Sequence, residues 1–422
     1  MRRVLLTDTR QIHPFNEPAR ELRVHNKPLW LHQRDLLTRY MSDEREYPSL
    51  EVAQTVEGEE SVEMLVHRDS IFFNEALIRE FLQRGQAGKE PVRLAFRVAD
   101  PAVRQHMLPL THNFDQTDEL ALAEMWYLPG GLKQLDSAQP LVIDPESKEL
   151  GYYHVPPYMA AESGDLVYQL PAKAFVSLES WVHLFIIDIL FGVFARGALM
   201  EQRVDEDWRF KLKILTRAIL EQKQVLDCSE VVKIGHNCSI DPTAIIHGYT
   251  TIGNNVNIGP GVVIDNCIIG DNVNITQGCQ LMLSVVADGC FLPFRAALFM
   301  TTLMERSMVA QNTCLQLCVV GRDSFIGAGN TFTDFNVVPA PLRAVSRLGL
   351  EETEMIVLGG CVGHHCRLGS GLIIMPARTI ESDVVLLAKE ENTFIRKNVS
   401  FEDSDHSSFS ERYPYPRLYP RE

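Results

Sequence analysis

The chain has 422 residues, 45% of them hydrophobic, with a formal charge of −15 and a pI near 5.4. That length and apolar content predict two or three domains with sizeable cores and exclude a disordered chain. The acidic balance, without a basic patch or an RNA-binding signature, excludes the usual nucleic-acid binder, while a local basic pocket would still suit a small anion.

In chain order, the first part reads as α/β. Strands are expected at 4–6 and 92–96, helices at 29–40 and 76–84, and apolar runs at 64–66 and 71–73 flank Arg68 and Asp69. Alternation of this kind predicts a mostly parallel sheet with covering helices. The prolines of HVPPYM at 154–159 mark a boundary. An α/β domain is therefore expected over 1–175, and a helical linker over 176–228. Within that linker, residues 181–200 are almost long enough to span a bilayer. His183 and Asp188 inside this run favour a buried or subunit-facing helix, since a carboxylate near mid-membrane costs about 2.5–3.5 kcal/mol. Residues 208–226 are amphipathic and carry Arg209, Lys211, Lys213 and Arg217. For the 181–226 helices a solvated role and a membrane-surface or partner-facing role both stay open. The amino terminus lacks the long apolar stretch of a secretory signal, so the cytoplasm is the expected compartment.

From Ile234 the chain repeats every six residues through Ile240, Ile246, Ile252, Ile258 and Ile264, slips by one to Ile269, and returns at Val320 and again at Val362. A period of six fits neither a helix nor a two-faced strand, and predicts a hexapeptide β-solenoid over 229–397. Small residues four places after the aliphatic ones, such as Cys238, Val256, Cys279 and Cys366, are expected to point inward. All nine cysteines lie between Cys228 and Cys366, and buried reduced thiols account for them better than disulfides. Cys361, His364, His365 and Cys366 lack matched ligand spacing, so no metal site is expected there. The tail, 398–422, is polar and then rich in Pro and Tyr, and is expected to be disordered or an arm on a neighbouring subunit.

The histidines and the interrupting loop carry the candidate chemistry. His247 and Asp265 lie eighteen residues apart, one three-sided coil, so their side chains are expected to stack, an Asp orienting a His. His364 and His365 form a second candidate base pair at a corner. They follow a non-repeating loop at 337–355, in which Arg343 and Arg347 suit a phosphate or carboxylate.

Residues 13–37, HPFNEPARELRVHNKPLWLHQRDLL, resemble the opening of sugar-phosphate nucleotidyltransferases, Lys27-Pro28 matching that family's lysine-proline pair. The family's glycine-rich phosphate loop corresponds to Thr7-Asp8-Thr9-Arg10-Gln11, which holds no glycine and keeps only Arg10. Without glycine the backbone neither reaches positive φ freely nor approaches phosphate closely. The family's metal-binding aspartate corresponds to Asp69. These matches imply a diverged nucleotidyltransferase-like domain that has lost nucleotidyl transfer, with magnesium relevant only if it were active. Any ligand it retains would meet Arg10, Arg20, Lys27 and Asp69.

Such a domain followed by a hexapeptide solenoid resembles the bifunctional glucosamine-1-phosphate acetyltransferase and uridylyltransferase family. The resemblance implies a left-handed parallel β-helix, a homotrimer, and a subunit-interface site where an acyl-coenzyme A meets a sugar or sugar nucleotide. Residues 311–331 resemble that family's acetyltransferase stretch. Gln311 stands where the catalytic histidine is expected, Asn330 replaces a threonine, and Asp334 falls in the polar substrate loop. A glutamine amide does not titrate in this range, so the base must come from elsewhere. Two readings follow: an acyl-coenzyme A-dependent transferase, or a non-catalytic trimeric assembly or sugar-nucleotide-binding protein with degenerate sites. The spacing of His236, His247, His364 and His365 does not match the solenoid-type carbonic anhydrases.

Overall fold

The computed structural model describes residues 1–153, 166–336, 340–408 and 415–421. The Pro-rich segment at 154–159, the start of the loop at 337–339 and part of the tail at 409–414 lie outside the described residues. The chain folds as two compact units, Met1–Ile12 with Glu17–His183, and His13–Asn16 with Leu184–Glu422.

The first unit is built on a mixed sheet with strand order Gln139–Val142, Val92–Arg97, Leu120–Leu128, Met64–Arg68, Arg2–Leu6, Asp43–Tyr47. Arg2–Leu6 pairs in parallel with both neighbours, whereas Leu120–Leu128 runs antiparallel to both of its own. The sheet is mostly parallel, as the alternation predicts, with one long reversed strand, Leu120–Leu128, at its centre. Helix Glu75–Gly88 starts where the Asn74 side chain accepts from the Leu77 N–H, and it buries Leu77, Ile78, Phe81 and Leu82. Those residues join Leu65, Phe73, Leu94 and Phe96 in the main core of this unit.

The second unit is a parallel β-helix of three eight-stranded sheets. Ile234, Ile252, Ile269, Val286, Leu303, Val320, Val362 and Ile380 stack in register along the first sheet. Successive inward residues of the central coils, Ile269, Ile275, Leu281, Val286, Leu292, Leu298 and Leu303, are spaced six, six and five. The apparent slip at Ile269 is therefore a coil shortened by one residue at its third corner, and the repeat continues unbroken through Val320. The inward column and the small residues beside it, Val256, Val262, Cys279, Cys366 and Val384, form one continuous core. All nine cysteines are free thiols.

Between Phe332 and Cys361 the solenoid is interrupted, and the expected loop there contains an antiparallel hairpin, Arg343–Ser346 with Gly349–Glu352. The chain re-enters the coil at Gly359, where a Cβ would lie 1.9 Å from the Gln316 carbonyl oxygen. No side chain fits that approach.

The apolar helix Trp181–Glu206, with wide π-type turns over Ile186–Phe194, belongs to the second unit from Leu184 onward. Its long apolar run is buried, and Asp188 accepts a hydrogen bond from Thr302 Oγ1 at 3.1 Å on the outer side of the first sheet. This contact explains a carboxylate inside an apolar helix. Thr302→Val removes a donor from a buried carboxylate and is expected to cost about 2 kcal/mol in urea unfolding, where a surface Thr→Val would cost almost nothing.

Candidate active site

At the carboxyl end of the solenoid, two corners one coil apart bring His365 and Asp383 together. Their Nδ1 and Oδ1 atoms are 2.9 Å apart, with Asp383 fully buried and His365 14% exposed. Both residues adopt left-handed backbone, φ 55° and 65°. The other Asp383 oxygen accepts the Tyr419 N–H at 2.6 Å, which holds the carboxylate in place. The Tyr415 ring stacks on the imidazole at 4.6 Å, and its hydroxyl bonds the His365 carbonyl. Nε2 has no hydrogen-bond partner among the described residues. A neutral imidazole with Nδ1–H donated to a fixed carboxylate keeps its Nε2 lone pair for a proton.

His364, its neighbour, points inward. It is fully buried, accepts the Arg322 N–H at 3.0 Å on Nδ1, and packs against Phe15 and Tyr419. The paired-histidine expectation is corrected: alternating residues face opposite ways, so one ring is structural and one is at the corner. Asn330 is also a coil-internal residue. Its Nδ2 donates to the carbonyls of Gly327 and Gly369 at 3.0 and 2.9 Å, and its Oδ1 accepts the Leu372 N–H at 2.6 Å, so no polar atom is left for a substrate. His247 and Asp265 are register neighbours as expected. His247 Nε2, however, lies 3.2 Å from Asp227, while Asp265 accepts from Asn266 Nδ2 at 3.1 Å. The carboxylate nearest the ring is therefore Asp227, although burial, which raises the Asp265 pKa, is still partly offset by the charge of His247.

Gln311 is exposed and offers its carbonyl to the Gly329 N–H. Asp334 is half-buried, and burial raises its carboxyl pKa. Arg343 pairs with Glu352 across the hairpin at 3.0 Å, and Arg347 is exposed in its turn. These residues are not brought to His365 by any contact.

In the first unit, the loop after Arg2–Leu6 is filled by its own charges. Arg10 Nε donates to Asp8 Oδ1 at 2.7 Å, and the Asp8 N–H donates to Asp69 Oδ1 at 2.9 Å. Arg20 lies 3.4 Å from Asp69 and 3.2 Å from Glu46, and Arg68 Nη2 donates to Glu124 at 2.7 Å. Lys27 is exposed and bonded to Asp35 at 2.7 Å, away from this cluster. A magnesium ion does not fit at Asp69: one oxygen holds a backbone N–H, and the other faces a guanidinium. Nor does a phosphate fit beside Asp8, whose carboxylate stands where a glycine backbone would be needed. Among the described residues, no group of three or more His, Cys, Asp or Glu side chains is placed to hold a metal ion.

Burial lifts the Asp69 pKa from 3.8 to about 6, only partly offset by the Asp8 N–H and Arg20. A raised carboxyl pKa favours the folded state when protonated, so this contribution is full below pH 4 and lost as pH rises through 6. Asp69→Asn keeps the acceptor and removes the charge. Relative to the parent, the variant is expected to gain stability between pH 5 and 8, reaching up to ~3 kcal/mol, measured by urea unfolding across that range.

Residues 228–298 match the family model described as the GMPPB C-terminal domain. The bifunctional protein GlmU of Synechococcus elongatus and that of a Synechococcus sp. are each 22% identical over 213 residues, covering 45% of this chain and 41% of theirs. The chain thus spans about two fifths of the length of these curated relatives. A solved hexapeptide transferase family protein from Anaplasma phagocytophilum is similar over 41% of this chain and 88% of its own, at 16% identity and a TM-score of 0.20. The polysialic acid O-acetyltransferase OatWY is similar over 43% and 98%, at 15% identity and a TM-score of 0.18. The segment similar to these proteins is the one whose coils stack in register, and the chain as a whole is an α/β unit followed by a left-handed β-helix of hexapeptide repeats.

Proposed function

We propose that the protein is an acyltransferase of the hexapeptide-repeat class, with His365 as general base and Asp383 as the residue that orients it. The observation that carries this reading is the 2.9 Å contact between a corner histidine and a buried aspartate, with Nε2 left for the substrate. In the step, Nε2 takes the proton of an acceptor hydroxyl or amine as the acceptor atom bonds the acyl carbonyl carbon. The carbon–sulfur bond then breaks, and the proton leaves with the coenzyme A thiol. The donor is an acyl-coenzyme A, and the acceptor a sugar, sugar nucleotide or related small molecule. A homotrimer with sites at subunit interfaces and residence in the cytoplasm belong to the same reading. The α/β unit has lost nucleotidyl transfer, a view supported by the ion pairs that occupy its loop.

A second reading, a non-catalytic assembly or sugar-nucleotide-binding protein, is favoured by Gln311 in the expected histidine place and by the tail packed over His365. Calorimetry with acetyl-coenzyme A and with uridine-diphosphate sugars, together with a thiol-release assay, separates the two. Saturable coenzyme A binding with thiol release supports the transferase; sugar-nucleotide binding alone supports the second reading.

A further inference from the structure

In a chain of formal charge −15, one groove of the second unit is lined by four cations and a single carboxylate. Arg196, Arg203, Lys213 and Lys233 surround it with Leu199, Met200, Phe210 and Tyr249, enclosing about 440 Å³, and Glu230 is its one acid. Helix Ala195–Glu206 supplies one wall. Asp207 ends that helix and caps the next, Trp208–Glu221, accepting from the N–H groups of Arg209 and Phe210 at 3.0 and 3.2 Å. The first wall is drawn close to the coil at Gly197, where an added Cβ would meet Asn266 Oδ1 at 3.0 Å. Glu230 is engaged by Lys213 at 2.7 Å. Arg196 and Arg203 instead rest over the rings of Tyr249 and Phe210, at 4.9 and 4.1 Å. Among the described residues, Arg196, Arg203 and Lys233 form no ion pair with a carboxylate.

By contrast, Arg417 and Arg421 of the same unit meet around an acid, Glu381. Three cations facing one concavity repel each other, and a bound anion of more than one charge would relieve that repulsion. Guanidiniums seated on aromatic rings keep their N–H edges available for bidentate contact with phosphate oxygens. The Leu199 and Met200 wall gives an attached organic group an apolar surface.

We propose that this groove binds a diphosphate-bearing small molecule, at a site separate from His365 and independent of the acyltransferase reading. The test is calorimetry on the full chain with inorganic pyrophosphate and with a nucleoside diphosphate. Saturable binding of either with a Kd below about 1 mM is expected at low salt. Arg196→Ala/Arg203→Ala and the exposed-site variant Lys233→Glu should each weaken it tenfold or more, while His365→Ala leaves it unchanged. Tighter binding of the nucleoside diphosphate assigns the site to an organic diphosphate, and equal affinity assigns it to the inorganic anion. Absence of saturable binding, or binding that survives both groove variants, overturns the proposal. Loss in His365→Ala would overturn its separateness from the corner site.

Discussion

His365→Ala is expected to lower acyl transfer by two orders of magnitude or more, with kcat falling and KM for the donor little changed. General-base assistance is worth about 10²–10⁴-fold, and the Nε2 of this residue is the group placed to supply it. Asp383→Asn is the sharper companion. The amide keeps an oxygen for the Tyr419 N–H but removes the charge that holds the imidazole tautomer. A fall of about 10²-fold is expected, because the imidazolium formed in the step is no longer stabilised. Thermal unfolding within a few degrees of the parent would locate both losses in chemistry and not in folding. Thiol release undiminished in His365→Ala would remove the base from this corner.

Arg417→Ala/Arg421→Ala is expected to destabilise the solenoid unit by about 3 kcal/mol. Glu381 is fully buried, and four groups satisfy it: Arg417 at 3.2 Å, Arg421 at 2.8 Å, Asn16 Nδ2 at 2.8 Å and the Phe401 N–H at 2.9 Å. Removing both guanidiniums leaves a carboxylate out of water with only two neutral donors. Glu381→Gln, which removes the charge and keeps an acceptor for Asn16, should cost less than the double arginine variant. Urea unfolding of the full chain distinguishes them, and a loss under about 1 kcal/mol in the double variant would mean that the tail is not docked in solution. The same contacts give the described end of the tail, expected to be disordered or an arm on a neighbour, partners within this chain. Residues 415–421 fold back on their own coils because Tyr415, Arg417, Tyr419 and Arg421 each find a partner there.

Much of the fold was legible because it is written in periodicities. The strand at Arg2–Leu6, the helix at Glu75–Gly88 and the run at Met64–Arg68 are continuous apolar or amphipathic patterns that local physics reads directly. Asp43–Tyr47 was not legible, because its sequence DEREY holds no apolar pattern. It is a strand only because its backbone pairs with Arg2–Leu6, and Arg2 and Arg3 bind its Asp43 and Glu44 at 3.0 and 2.7 Å. In the solenoid, the six-six-five spacing hid the coils between Leu281 and Val320, since a strict period of six loses register at every third corner. The candidate site was half read. Spacing of one coil was applied to His247 and Asp265, yet the same eighteen residues separate His365 from Asp383, and that signal was present in the sequence.

By itself, then, the sequence determined a stacked six-residue repeat behind an α/β unit, and a chain acidic enough that any anion site must be local. Periodicity survives without tertiary contacts because each coil buries the same positions. Tertiary structure decided the rest. Which of two adjacent histidines faces inward, which carboxylate lies nearest His247, and where two arginines and a buried acid meet all depend on side chains tens to hundreds of residues apart. Distances of 2.9 Å between His365 and Asp383, or 3.2 Å between His247 and Asp227, follow from how corners stack and from what packs beside them. No local pattern encodes them, because hydrogen bonds and ion pairs are selected by proximity in the folded chain.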